Sequence, residues 1–219
     1  MPEEQYLNLA AYAANVHCLG PGPRVVFWVQ GCCFRCPGCV APDWRPCTPA
    51  HIVTVDALIA FCRLLTDHRG ITFSGGEPML QAMGLHKLWR GISDIHPSWD
   101  LIIFTGFTPQ MLAKDERRQK FARDADALIA GPYIQAHHTE TGLRGSSNQM
   151  IRFKPGGRFT ENERLDIISG TRSQEVHINK DMAVIAGIPP RSGAVHKDMI
   201  EHALQKNTKK VKGWQKTVP

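Results

Sequence analysis

The sequence predicts an α/β fold built on a parallel sheet, with a β-hairpin extension towards its C-terminus. Two observations predict it. Short apolar, β-branched runs alternate with helical stretches, the βα rhythm of a parallel sheet. In addition, four strand-like runs each break into glycine at their C-terminal end, at Gly31, Gly75 with Gly76, Gly106 and Gly131. Ligands of parallel α/β sheets bind at that edge, and loops lacking Cβ atoms there let backbone approach one bound molecule.

The elements follow in order. "RVVFWVQ" (24–30) is almost wholly apolar, as a strand buried on both faces must be. In "TVDALIAFCRLLTD" (54–67), Val55, Leu58, Ile59, Cys62 and Leu65 share one helical face. "GITFSGG" (70–76) is the second strand, followed by a helix over about 80–93. "WDLIIFTGF" (99–107) is the third, with a helix over 109–122, and "ADALIAGPY" (125–133) is the fourth. Further on, "LRGSSNQMIRF" (143–153) reads as a loop entering a strand, and "EVHIN-KDM-AVIAG" (175–187) as two strands joined by a short turn. "IPPR" (188–191) stops regular structure. Residues 1–190 form the expected catalytic domain, and 191–219 a short helix and a basic tail.

A chain of 219 residues buries a core without cross-links, and 42% hydrophobic with 21% charged residues is a globular composition. The opening "MPEEQYLNLAAYAANV" has acids where a secretion signal needs bases, and no apolar run nears the roughly 18 residues of a membrane span. A cytoplasmic location is expected, where thiols stay reduced. The charge of +6 is local: residues 206–219 hold five lysines and no acid, and without them the body carries 21 basic against 20 acidic residues. A solvated tail is the first reading of that segment. Contact with nucleic acid or an acidic partner is the second, and no aromatic-rich or basic stripe elsewhere supports it.

Five of the seven cysteines lie in "GCCFRCPGCVAPDWRPC" (31–47). Cys32, Cys36 and Cys39 have the spacing C-x3-C-x2-C, while Cys33 also permits C-x2-C-x2-C. Zinc wants four closed ligands, often as two pairs, and here only Cys47 or His51 could add one. A ferredoxin-type cluster wants four cysteines. A cubane held by three cysteines leaves one iron open to a substrate, as an open catalytic metal site does. Beside these, Cys62 reads as core and Cys18 as structural. His137 and His138 read as surface residues, and Trp44 as packing beside the cysteine loop. Glu77 could cap the helix that follows it, and Ser146, Ser147 and Asn148 could form a polar turn.

The cysteine stretch resembles the cluster motif of the radical S-adenosylmethionine (SAM) superfamily. "C-x3-CPGC" ahead of Trp44, "GPGPRVVFWVQGC", "TFSGGEPMLQ", "FTGF", "ADALIAGPY" and "RGSSNQMI" are similar, in order, to blocks of the small activating enzymes of anaerobic ribonucleotide reductase, the glycyl radical enzyme activases, over residues 15–151. The resemblance implies an incomplete (βα) barrel of that superfamily's type. It implies that Cys32, Cys36 and Cys39 hold a 4Fe–4S cluster and that Gly75, Gly76 and Glu77 meet the methionine part of SAM. Gly38, Thr105, Ser146 and Asn148 become further SAM contacts by the same likeness. The implied chemistry is reductive cleavage of SAM to a 5′-deoxyadenosyl radical, with no catalytic residue beyond cluster and SAM. A glycyl radical enzyme is the implied protein substrate, and a flavodoxin- or ferredoxin-type protein the electron donor. The chain departs from the activases at Ala130, where they carry an acid, and in continuing past Phe153. Those departures keep open the radical modification of a peptide or small molecule; a zinc-binding module is the third reading.

Overall fold

The computed structural model describes residues 4–178 and 183–191. Strands β1 (Tyr6–Val16), β2 (Arg24–Val29), β3 (His51–Thr54), β4 (Gly70–Gly75), β5 (Asp100–Thr105), β6 (Ala127–Ala130) and β7 (Met150–Phe153) form one sheet, ordered β3-β1-β2-β4-β5-β6-β7. The middle of the sheet is parallel: β2, β4, β5 and β6 run together, with Phe27 opposite Phe73, Phe73 opposite Ile103, and Phe104 opposite Ile129. These are the four expected strands, and all six residues of β2 are buried. The sheet is open, with β3 and β7 at its two edges, in keeping with an incomplete barrel.

Three antiparallel strands flank that parallel core. Two of them, β1 and β3, lie outside the βα alternation and are unforeseen. In β1 a period of two governs burial, with Leu7, Leu9, Ala11 and Ala13 inward. β3 has no buried residue and is held by its pairing with β1.

One face of the sheet carries helices α1 (Val55–Arg63), α2 (Ala82–Ile95), α3 (Pro109–Leu112) and α4 (Glu116–Asp124). Leu85, Leu88, Trp89 and Ile92 of α2 pack with Phe27, Phe73 and Ile103, and Cys62 of α1 joins the same core, as expected. Full burial of such side chains contributes roughly 1.5–3 kcal/mol each. The helix expected over 109–122 is two pieces. Asp115 caps the second, accepting from Arg117 N at 3.0 Å and Arg118 N at 3.1 Å, so the chain stops and restarts there.

The other face is covered by the later part of the chain. Helix α5 (Glu161–Ser169), started by a Thr160/Glu163 capping box, sets Ile167 against Ile102, Ala127 and Ile129. The expected hairpin, β8 (Glu175–Ile178) with β9 (Ala183–Ala186), lays Val184 and Ala186 on Ala11, Ala13, Val26 and Trp28. The hairpin's turn at 179–182, and the helix and basic tail expected after Arg191, lie outside the described residues.

Charge is concentrated at the N-terminal edge of the parallel strands. Arg24 and Asp100, both fully buried, meet at 2.5 Å, and Arg24 Nε donates to Thr72 Oγ1 at 2.8 Å. Asp126 faces Arg158 at 3.2 Å on the same side. The opposite edge holds the glycine tips, the cysteine loop and one buried acid, Glu77. Among the described residues no helix is long and apolar enough to cross a membrane.

Candidate metal centre

The cysteine loop leaves the tip of β2 and folds back on itself. Gly31 N donates to Trp44 O at 2.8 Å and Cys32 N to Arg45 O at 2.9 Å, closing the base of the loop. Trp44 packs at 6.0 Å from Trp28, as expected of it. Every glycine-marked strand tip then touches this loop. From β4, Gly76 N donates to Val29 O and Glu77 N to Gly31 O, both at 2.8 Å. A Cβ on Gly76 would stand 2.3 Å from Gly31 O and 2.9 Å from Trp44 O, so only glycine lets these backbones meet. From β5, Gly106 lies under the ring of Phe34, which packs edge-on to Phe107 at 5.2 Å. From β6, the loop after Gly131 brings Gln135 against Gly38, whose φ of 71° suits glycine.

Within the loop, burial separates the cysteines. Cys32, Cys36 and Cys39 are half-buried, whereas Cys33 and Cys47 are exposed. The C-x3-C-x2-C register thus coincides with the shielded thiols. Phe34 N donates to Cys32 Sγ at 3.4 Å. Burial pushes the Cys32 thiol up to about 11 and raises Cys36 as well, so loading of iron onto these thiols releases protons. Among the described residues, no three Cys, His, Asp or Glu side chains converge as a single ion's ligands would. A cube presents a different iron to each sulfur, so its ligands stand farther apart than those of one ion. Three soft thiols on one shielded loop are a donor set that fits an iron–sulfur cluster.

Glu77 sits at the floor of the site, 1% exposed. Its Oε1 accepts from Met79 N at 2.8 Å and from Thr105 Oγ1 at 2.7 Å, and its Oε2 from Gly106 N at 2.7 Å. Burial pushes its carboxyl up to about 7 against the pull of those donors. It caps the turn at Pro78–Gln81, and through Thr105 it ties the β4 tip to the β5 tip. Of the other expected contacts, Ser146 is buried and its Oγ accepts from Ile134 N at 3.1 Å, while exposed Asn148 donates to Pro132 O at 2.8 Å. Both brace the loop after β6 rather than the cysteines directly.

Three residues of this edge carry no signal in the linear sequence. Arg118 of α4 donates to Met79 O at 3.1 Å and stands 4.6 Å over the Phe107 ring. Gln135 meets Gly38. Tyr133 directs its backbone N–H at Cys36 and so favours the thiolate there. His138, expected at the surface, is half-buried, its side chain 4% exposed and its Nδ1 3.1 Å from Tyr133 Oη. The cause is the pairing of His138 with Ser146, which turns the ring inward.

Half-buried thiols, close-approach glycines and a buried carboxylate thus gather at the C-terminal edge of a parallel sheet, with a donor set that suits an iron–sulfur cluster. The family model described as a 4Fe-4S single cluster domain matches residues 18–152, more than half of the chain. The chain belongs to that family, within the radical SAM superfamily, whose cofactors are a 4Fe–4S cluster and SAM. The pyruvate formate-lyase-activating enzymes of Staphylococcus aureus strains USA300 and NCTC 8325 are each 37% identical to it over 81 residues, 34% of this chain and 32% of theirs. The chain thus spans about a third of the length of the curated relatives it matches. Among solved structures, QueE from Escherichia coli is similar at a TM-score of 0.38 and 17% identity, over 47% of this chain and 53% of that one. That likeness is too slight to bear on the fold.

Proposed function

We propose that the chain is a cytoplasmic radical SAM enzyme that generates a glycyl radical on a partner protein. The observation that carries the radical SAM reading is the coincidence of motif and burial: the three shielded thiols are those of C-x3-C-x2-C, and the exposed ones are not. Cys32, Cys36 and Cys39 would hold the cluster, and Gly75, Gly76 and Glu77, whose backbone is bonded to the β2 tip at the loop base, would meet the methionine part of SAM. When bound, cluster and SAM supply one-electron cleavage to a 5′-deoxyadenosyl radical, which abstracts a hydrogen atom. The chain's own share is positioning and exclusion. The loop base pins Cys32, the Phe34–Phe107 pair walls off one side, and buried Glu77 locks the two strand tips together. The likeness to glycyl radical enzyme activating enzymes supports a protein substrate, with a small acidic flavodoxin- or ferredoxin-type donor.

A second reading is radical modification of a peptide or small molecule. It is favoured by the cover that α5 and the β8–β9 hairpin lay over the face of the sheet opposite α1–α4. Anaerobic reconstitution with iron, sulfide, dithionite and SAM tests the common core: 5′-deoxyadenosine should form and disappear in Cys36→Ala. Electron spin resonance with a candidate partner then separates the readings. A doublet from a glycyl radical on the partner supports the first, and product formation on a peptide or small molecule without that doublet supports the second.

A further inference from the structure

Arg118 brings a fixed positive charge to the side of the cysteine loop. It belongs to α4, and its side chain is held at Met79, Phe107 and Asp115. Nε donates to Met79 O at 3.1 Å, two residues beyond Glu77. The guanidinium carbon lies 4.6 Å over the Phe107 ring, within cation–π range. That same ring meets Phe34 of the cysteine loop at 5.2 Å. Nη1 stands 3.7 Å from Asp115 Oδ2, beyond hydrogen-bond reach, while Asp115 Oδ1 is occupied in capping the helix. Asp115 therefore cancels the arginine charge only in part. The Arg118 side chain is 29% exposed, so much of its field passes through protein rather than water.

Glu77 brings the opposite charge. It is buried and, among the described residues, meets no cation at ion-pair distance. Burial is the first influence on the Cys32 and Cys33 thiols and on the Glu77 carboxyl, and it raises all three. Beyond burial, the Glu77 charge raises both thiols, and Arg118 lowers Cys33 and Glu77. The two side chains thus act on one loop with opposite sign. Arg45, within the loop, is a second cation, which lowers Cys36 against its burial. Among the described residues no ion pair fixes Arg45, whereas Arg118 is anchored. An iron–sulfur cluster on three thiolates gains one negative charge on reduction. A fixed cation beside it favours the reduced form, and a fixed anion the oxidised form.

We infer that Arg118 raises the electron affinity of the cluster held by the cysteine loop, offsetting the buried charge of Glu77. The inference rests on the assignment of that cluster to Cys32, Cys36 and Cys39 in the function proposed above. Anaerobic titration of the reconstituted full chain with dithionite as electron donor, without SAM, reads the midpoint potential through the spin resonance of the reduced cluster. Arg118→Gln should hold about tenfold less reduced cluster at the parent's midpoint, a downward shift of about 59 mV for one electron. Arg118→Lys keeps the charge but not the planar fork, and should recover most of that shift. Arg117→Gln, the same charge change at the exposed neighbouring position, should leave the potential unmoved. Asp115→Asn keeps a helix cap while removing the anion beside Arg118, and should shift the potential upwards. Iron and sulfide per chain are measured for every variant. A parent-like potential in Arg118→Gln at full iron, or an equal fall in Arg118→Lys or Arg117→Gln, overturns the inference alone. Should Arg118→Gln take up no iron, the absence of an upward shift in Asp115→Asn overturns it instead. A parent that takes up no iron overturns the cluster assignment itself, and the inference with it.

Discussion

Thr105 Oγ1 donates to Glu77 Oε1 across 2.7 Å, joining the ends of two neighbouring parallel strands beneath the cysteine loop. Glu77 is buried, so removal of that donor leaves a desolvated oxygen short of a partner. Thr105→Val should cost about 1.5–3 kcal/mol, the range for hydrogen bonds to charged groups, and Thr105→Ser should recover most of it. Urea unfolding of the apoprotein measures both. An unchanged midpoint in Thr105→Val would mean the bond contributes nothing.

The burial of the cysteines predicts which of them iron needs. Cys32→Ser, Cys36→Ser and Cys39→Ser should each lose most of the iron and brown colour after anaerobic reconstitution. Cys33→Ser and Cys47→Ser, at exposed positions, should keep both. Iron and sulfide analysis per chain decides the matter, and retention of a full cluster by Cys36→Ser would remove the assigned ligand set.

Gly76→Ala places a methyl group 2.3 Å from Gly31 O. Neither neighbour is a flexible side chain, so backbone must move. A loss of about 1–3 kcal/mol is expected, the usual range for overpacking, together with poorer iron loading because the loop base shifts. Normal stability with normal iron content in Gly76→Ala would contradict the close approach.

Burial lowers the pKa of the His138 imidazole, outweighing the pull of Glu140. The folded chain therefore takes up that proton less readily than the unfolded one. The stability this group contributes is complete above about pH 6.5, the unfolded value, and is lost as pH falls through the lower folded value. The difference in urea midpoint between parent and His138→Gln should shrink on acidification from about pH 7.5 to about pH 5. A difference that grows instead would mean that the folded state favours the charged ring.

The parallel strands and their glycine tips were legible because an apolar run ending in glycine is a local signal, as in Arg24–Val29 followed by Gly31. The resemblance of the cysteine stretch to a cluster motif singled out Cys32, Cys36 and Cys39, and these are the less exposed thiols of the loop. β1 was harder to read. Its inward positions include the small residues Ala11 and Ala13, which mark strand alternation weakly and suit helix equally. α5 does carry a readable mark in Thr160 and Glu163 at capping-box spacing, but its apolar pattern is too faint to confirm it. The Glu77–Thr105 bond spans 28 residues and exists only once β4 and β5 lie in register. The inward turn of His138 similarly depends on its pairing with Ser146 across a ribbon that no periodicity announces.

The two outermost strands of the sheet, β3 and β7, are each four residues long and end the hydrogen-bonded order on opposite sides. No ring of ladder bonds closes the sheet between them, so its two faces depend on packed side chains for cover. On the face away from α1–α4 that cover is α5 and the β8–β9 hairpin, resting there through side chains such as Val184 and Ile167. A differently shaped cover could replace it without shifting a single strand against its neighbour, because the β8–β9 pair is a separate sheet and shares no ladder bond with the seven strands beneath it.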